Sequence, residues 1–556
     1  MKQIDVREKK YILRFDRMKA ERENMLPIWR DISDYIAPHR GLFDDTQPNQ
    51  GKRENDYMID PTPLRALGTL QAGMQGGLTS PSRAWFQLTL SDPELASVPS
   101  VMMWLDDVQE VISNVLSQSN IYNCLHGLYG EIGAFGIGAM FVDEDDKEVV
   151  NGKLLTAGEY FVSFDAKGIP DGFGRYLWMT VEQMAGEFGK ENLSERVRGM
   201  VNAKRGQEWV KVCHLICPDK EKETRFPYVS LYWEDGQRHS LSMRGYEEFP
   251  VMIPRWEPIG SDFYGYGPGW LALGESKTLQ AMREDYMVAQ KMNIQPPVVL
   301  PMSAAGDRMQ LYPGAVNYAS DPANIARPVY QIQPDIPGQM QAIADSRQLI
   351  NQIFYTDLFL MIAATEDGRQ WTATEANIRQ QEKLQMMGPV TERLEHELLN
   401  PLIGRSYMIC QRRGMIPAPP EELQGKAVKI EYVSMLALAQ KASAMGSIDR
   451  MMALIAGLAG MNPEVIDKLD ADEVLDQFVK LSAIPAVLIR QDEQVAAIRE
   501  QRQAQQEQAQ AMMQAQALAQ AAESGAGAVK DLSTSPIQGG SVMDAMFNQQ
   551  GGGSSM

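Results

Sequence analysis

From Pro99 to Gln118 the apolar residues Leu105, Val108, Ile112, Val115 and Leu116 share one side of a helical wheel, which predicts an amphipathic helix with a single buried stripe. Upstream, Ile12, Phe15, Leu26, Trp29, Ile32 and Ile36 recur at helical spacing from Ile4 to Ile36, with an interruption or restart at Pro27. A polar loop over 40–56 separates this helix from DPTPLRALGTLQAGM, whose prolines suit a helix start. That segment leads into LQAGMQGGLTSPSR (Leu70 to Arg83), which we expect to be a tight junction between the helix and a strand at AWFQL, its glycines permitting sharp turns and close approach.

A helix with Gly127, Gly130, Gly133 and Gly136 every third residue would lose roughly 1 kcal/mol per glycine relative to alanine, so close packing of another backbone is expected there. Between Gly138 and Ile259 the period changes to alternation. GAMFVDE, EYFVSFD, GRYLWMT, EWVKVCHLIC, YVSLYWE and EEFPVMIPRWE, separated by turn signals, predict an antiparallel sheet interrupted by one helix, Val181 to Phe188.

Helical spacing returns from Trp270 to Asn293, with Leu273, Leu279, Met282, Tyr286 and Met287 as candidate buried positions and Pro296 and Pro297 as the stop. Residues 295–337 are proline-rich, with short extended pieces such as VVLP and PVYQIQP. A helix is expected from Gly338 to Ile362, then a break at AATEDGRQ. Thr372 and Glu375 form a capping-box pattern that starts a further helix running to Arg413 with a kink at Pro389. The tail is expected to be helical from Tyr432 to about Ala522, ending in a Gln/Ala tract, and residues 524–556 are Gly/Ser/Gln-rich and expected to be disordered.

Composition narrows the picture. The 556 residues suggest three or more structural units, 44% hydrophobic and 22% charged residues are globular proportions, and the formal net charge of −19 argues against affinity for nucleic acid built on many Lys and Arg contacts. Four scattered cysteines (124, 213, 217 and 410) imply no disulfide framework. The N-terminal stretch is charged and lacks the apolar core of a signal peptide, and no apolar run approaches the ~20 residues of a membrane helix, so a chain without a membrane anchor is expected.

Candidate chemistry is sparse. GWLALGESKT spaces Gly269 and Gly274 as a P-loop does, but Glu275 and Ser276 precede Lys277 and put the lysine out of register. Cys213, His214 and Cys217 sit in a strand-like run without a second ligand pair, and His396-Glu397 lacks the second histidine of a zinc protease helix. No catalytic residue, metal site or cofactor is expected, although the abundant carboxylates leave room for a hidden Asp/Glu pair.

The segment Asp60 to Leu88, then YGYGPGWLALGESKTLQ (Tyr264 to Gln280), and the order helix, insert, helix, loop, long helix, together resemble the portal, or head-to-tail connector, proteins of short-tailed bacteriophages. The resemblance extends in arrangement to about Ala522. It implies an α+β, mainly helical portal fold with wing, stem, clip and crown, assembled as a ring of twelve copies at one capsid vertex. By that likeness residues 1–265 are wing and outer body, 266–294 the first stem helix, 295–337 the clip, 338–361 the second stem helix, 362–371 the tunnel loop, 372–431 a long wing helix with its connection, and 432–522 the crown.

The resemblance also implies a non-enzymatic channel, made in the host cytoplasm and incorporated in the virion, for packaging and ejecting double-stranded DNA. The implied partners are the terminase large subunit, tail adaptor or nozzle proteins, and the major capsid and scaffolding proteins. Arg369 and Gln370 in the tunnel loop are candidates to touch DNA, and Arg308, Tyr312 and Arg327 in the clip are candidates for partner docking. An acidic wall that adheres weakly suits a conduit, since duplex DNA carries about one charge per 1.7 Å. Two other readings are a nucleotide-hydrolysing packaging component, with GWLALGESKT as its phosphate site, and a coiled-coil scaffold suggested by the Gln/Ala tail.

Overall fold

Pro27 restarts the N-terminal helix as its period suggests: α1 (Val6–Glu23) ends two residues before α2 (Leu26–Tyr35), where proline fits the first turn because no intrahelical donor is lost. The computed structural model describes residues 6–432, except 361–386, most of 302–334, 424–427 and positions within 45–55, 91–97, 221–223, 261 and 295–297. Beyond 432 it describes only scattered helical positions between 495 and 513, which belong to a second compact unit, residues 471–556. The expected tunnel loop, the capping box at Thr372 and Glu375, most of the crown and the tail therefore lie outside the described residues.

The first unit centres on two helices. α3 (Thr62–Leu78) buries Leu67, Leu70, Met74 and Leu78, and β1 (Phe86–Leu90) follows it. The glycines of LQAGMQGG do not make the junction expected of them, because helix continues through Gly73, Gly76 and Gly77 and the turn falls at Thr79 to Arg83. Nothing lies within 4 Å of a Cβ built on Gly68 or Gly76, whereas one on Gly73 would enter the ring of Phe359. Close approach survives as a reason at Gly73 alone of these three.

α4 (Pro99–Gln118) buries the predicted stripe, and α5 (Ile121–Phe135) follows. The glycine repeat of α5 is a packing device, but its neighbours are mostly side chains: Leu154 at Gly127, Arg40 and Gln71 at Gly130, Leu70 and Leu67 at Gly133. Backbone meets backbone only at Gly136, the left-handed C-cap (φ +79°), which faces Gly265 and Gly267.

The alternating region forms two antiparallel sheets. β2 (Ala139–Asp145) lies between β3 (Val149–Leu155) and β9 (Val251–Met252). The second sheet runs in chain order through β4 (Tyr160–Phe164), β5 (Pro170–Thr180), β6 (Trp209–Pro218), β7 (Tyr228–Glu234) and β8 (His239–Tyr246). α6 (Val181–Phe188) has the expected bounds and a full capping box between Thr180 and Gln183. A second helix, α7 (Glu195–Asn202), was not expected; its short, charged sequence has few apolar positions, and Val197 alone is buried.

Strand alternation decides which core each residue joins. On β6, Cys213, Leu215 and Cys217 face α1, where Phe15 is ringed edge-on by Phe161, Tyr176 and Trp233 at 4.6, 5.4 and 4.8 Å. Val210 and Val212 instead meet α6 and α7. The cysteines are thus packing residues, and all four are free thiols.

α8 (Pro268–Ile294) and α9 (Ile336–Ile353) pack against each other and bracket β10 (Val298–Pro301) and β11 (Val316–Ala319), which pair in parallel. The expected helix to Ile362 is interrupted: α9 stops at Ile353, Tyr355 turns left-handed (φ +55°), and helix resumes at Thr356 to Leu360. Helix is described again from Met387, with its irregularity in a π turn at Glu395–Leu399 rather than at Pro389, and continues as α10 (Asn400–Arg412). The last described element of the first unit is β12 (Val428–Tyr432), antiparallel to β1, a strand that was not expected from the sequence.

Candidate functional site

The YGYGPGW segment places the α8/α9 pair. Glycines at 265, 267 and 269 leave no room for a Cβ because the carbonyls of Gly136, Ile132 and Ala134 occupy it. The approach is secured by Trp256 N–H donating to Gly136 O at 2.8 Å, Gly138 N–H to Pro254 O at 3.0 Å and Tyr266 N–H to Glu257 O at 2.8 Å. The start of α8 is thereby locked onto the end of α5.

Along α8 the buried positions Ala272, Ser276, Leu279 and Gln280 form one stripe. No residue of α8 after Gln280 is buried, and Met287, Val288, Met292 and Ile294 stand exposed within this chain, so Met287, expected in the core, is outside it. With 27 residues at ~1.5 Å per residue the helix is about 40 Å long; Met282 and Tyr286 still pack against the core, and from Met287 onward every residue but Ala289 is exposed. α9 likewise buries only Ile343, Ser346 and Ile350 and exposes Met340 and Leu349.

A polar junction ties these helices to α3. Asp60, 1% exposed, accepts from the Thr62 N–H at 3.0 Å and hydroxyl at 2.6 Å through one oxygen, and from the Arg347 guanidinium at 2.7 Å through the other; Arg283 lies 3.5 Å away. Gln280 completes the junction, its Oε1 accepting from the N–H groups of Ile59 (2.8 Å) and Asp60 (2.7 Å) and its Nε2 donating to Asp60 O (3.0 Å). Burial pushes the Asp60 carboxyl up, but the hydrogen bonds from Thr62 and Arg347 outweigh it and hold the group below the usual carboxylate range. One carboxylate caps α3 and joins α8 and α9.

A second junction fixes the π turn. Glu397 pairs with Arg255 and also accepts from the Arg255 N–H at 2.8 Å, while the guanidinium donates to Gly168 O at 3.1 Å and lies over the Phe164 ring at 4.1 Å. His396-Glu397 is therefore half of a structural ion pair. Further along, Arg405 donates to Val142 O at 2.8 Å and pairs with Glu248 at 3.1 Å, pinning α10 to the sheet.

Of the residues singled out from the sequence, Lys277 lies inside α8, where its ammonium pairs with Asp31 at 2.7 Å and lies over Tyr35 at 5.3 Å. Glu275 accepts from Ser346 on α9. The P-loop-like stretch is a helix-packing segment. His214 is fully buried, accepting at Nδ1 from Arg175 Nε (3.2 Å), so its Nε2 donates to Ser230 Oγ (3.0 Å); the ring stacks on Tyr232 at 3.8 Å. Burial, then the Arg175 charge, depress its pKa well below the ordinary imidazole value.

Tyr312 is exposed and donates to Gln310; Arg308, Arg327, Arg369 and Gln370 lie outside the described residues. Among the described residues no group of three or more His, Cys, Asp or Glu is placed to hold a metal ion, and no helix is long and apolar enough to cross a membrane. The sequence analysis missed the Asp60 and Arg255 junctions. The Asp-Pro-Thr-Pro start of α3 was the one local signal for the first; the second had none.

The described chain is thus an α+β body with a long helix pair tied to it by glycine contacts at 265–269 and by the buried Asp60 carboxylate. Residues 8–489 match the model of the family described as bacteriophage head to tail connecting protein, and the chain belongs to that family. It is 38% identical over 508 residues to the probable portal protein of Bordetella phage BPP-1, covering 89% of this chain and 91% of that one. It is 37% identical over 498 residues to the portal protein of Salmonella phage epsilon15, covering 87% and 89%. A chain of the virion of a native gene transfer agent particle aligns with a TM-score of 0.34 at 13% identity, covering 74% of this chain and 92% of that chain. The two phage relatives are named as a probable portal protein and a portal protein, in keeping with the connector family.

Proposed function

We propose that copies of this chain form a ring at one capsid vertex, and that the ring is the channel through which double-stranded DNA is packaged and later ejected. The observation that carries this reading is the 38% identity, across nearly the whole of both chains, with a probable portal protein. The exposed apolar residues at the C-terminal end of α8 and on α9 support it, because such positions need a neighbour and a closed ring supplies one on each side. The expected number of copies is twelve.

In this reading α8 and α9 are the stem, residues 295–337 the clip that docks the terminase during packaging and the tail adaptor afterwards, and 362–371 the tunnel loop. Tyr312, Arg308 and Arg327 are the proposed docking residues, and Arg369 and Gln370 the proposed DNA contacts. The net charge of −19 keeps the wall from gripping a polyanion that has to move in both directions.

Negative-stain images of the purified protein test the reading: rings with a central hole are expected, and filaments or solid bundles overturn it. An ATPase assay addresses the motor alternative. No turnover above buffer is expected, and turnover lost in Lys277→Met would establish the phosphate site in place of the channel.

A further inference from the structure

The chain around α3 meets the stretch from α9 to the helix beyond the Tyr355 turn at two points, one on each side of the turn. At the start of α3, Asp60 accepts from Arg347 on α9; further along, Phe359 lies on Gly73. Thirteen positions separate Asp60 from Gly73 and twelve separate Arg347 from Phe359, and α9 packs against α3. Between the two contacts sits the left-handed Tyr355, a conformation that residues with a side chain disfavour. Its ring rests against Trp256 at 6.1 Å, and its carbonyl accepts from the N–H groups of Leu358 (3.1 Å) and Phe359 (3.3 Å). Phe354 and Leu358 are fully buried and Phe359 is 5% exposed.

From these contacts we infer that Gly73 is a positioning residue: it seats the Phe359 ring, and the Tyr355 turn with that seat fixes the course of the chain as it leaves the second stem helix. Glycine is required because a β-carbon at position 73 would occupy the position of the ring. Gly76, one turn on, faces open space and serves as the internal control. The α3 glycines thus have different roles, and the one at Gly73 is set by a residue far away in sequence. The inference rests on the channel reading only in calling α9 a stem helix.

The test is amide hydrogen exchange on the full-length assembled protein. Gly73→Ala is expected to speed exchange at Leu358 and Phe359 at least tenfold while leaving the α8 amides no faster, and Gly76→Ala to speed none of them. Phe359→Ala, which removes the ring without touching α3, should speed the same two amides, and this arm holds even where Gly73→Ala fails to fold. In Gly73→Ala combined with Phe359→Ala the two effects should not multiply, because both act through one contact. Wild-type exchange at positions 358 and 359 in the Phe359→Ala protein, or equal rates in the two glycine variants, overturns the inference. Exchange is indifferent to DNA passage, so failure of the channel reading in imaging leaves this result standing.

Discussion

The carboxylate of Asp60 and the guanidinium of Arg347, 287 residues apart in the chain, meet at 2.7 Å with Asp60 almost wholly shielded from water. The same carboxylate caps the start of α3, so one side chain sets the spacing of three helices.

Asp60→Asn keeps an acceptor for Thr62 and loses the charge that Arg347 and Arg283 neutralise; we expect a cost of about 2–4 kcal/mol in thermal or denaturant unfolding. The pH dependence follows from the sign of its shift. A carboxyl held below its unfolded value of 3.8 contributes stability that is present above that value and lost as pH falls through the folded one. Wild type should therefore lose its advantage over Asp60→Asn in strong acid, and an acid titration of unfolding checks this.

His214 should make the protein sensitive to mild acid. Its folded pKa lies well below 6.5, so the unfolded chain takes up the proton first, and stability present above 6.5 declines as pH falls below it. His214→Gln, which still offers an acceptor to Arg175, is expected to flatten the dependence of the unfolding midpoint between pH 7 and 5. An unchanged slope would remove His214 as its source.

Arg255 is buried and Glu397 largely so, and Glu397→Gln leaves an uncompensated guanidinium, which should cost about 3 kcal/mol. Arg255→Lys should not restore stability, because a lysine lacks the planar fork that reaches Glu397 and Gly168 together and covers Phe164. Denaturant midpoints of the two variants decide it.

Two glycine substitutions should move in opposite directions. Gly76→Ala, in open space within α3, is expected to stabilise by roughly 0.5–1 kcal/mol. Gly136→Ala combines a positive φ with a clash on the Gly265 carbonyl and is expected to abolish stable folding, as read by circular dichroism and soluble yield.

Val288→Asp and Met292→Asp test the exposed C-terminal end of α8. Neither side chain is buried in its own subunit, so the monomer should unfold as wild type does while ring formation, followed by analytical ultracentrifugation, is lost.

The chain's periodicities determined α4, α6 and the alternating faces of β6, because helix and strand spacing with local capping is written in neighbouring residues. The segment order and the Asp60 to Leu88 stretch were likewise enough to point to the family. The glycine stretch was misread for the same reason: Gly73, Gly76 and Gly77 look like a turn locally, and only packing shows that the helix runs through them and that Phe359 needs one of them. β12 escaped because a short strand is stabilised by its partner, and β1 lies more than three hundred residues away. The junctions at Asp60 and Arg255 were decided by tertiary structure alone, since a buried charge becomes favourable only when distant donors and acceptors are brought around it.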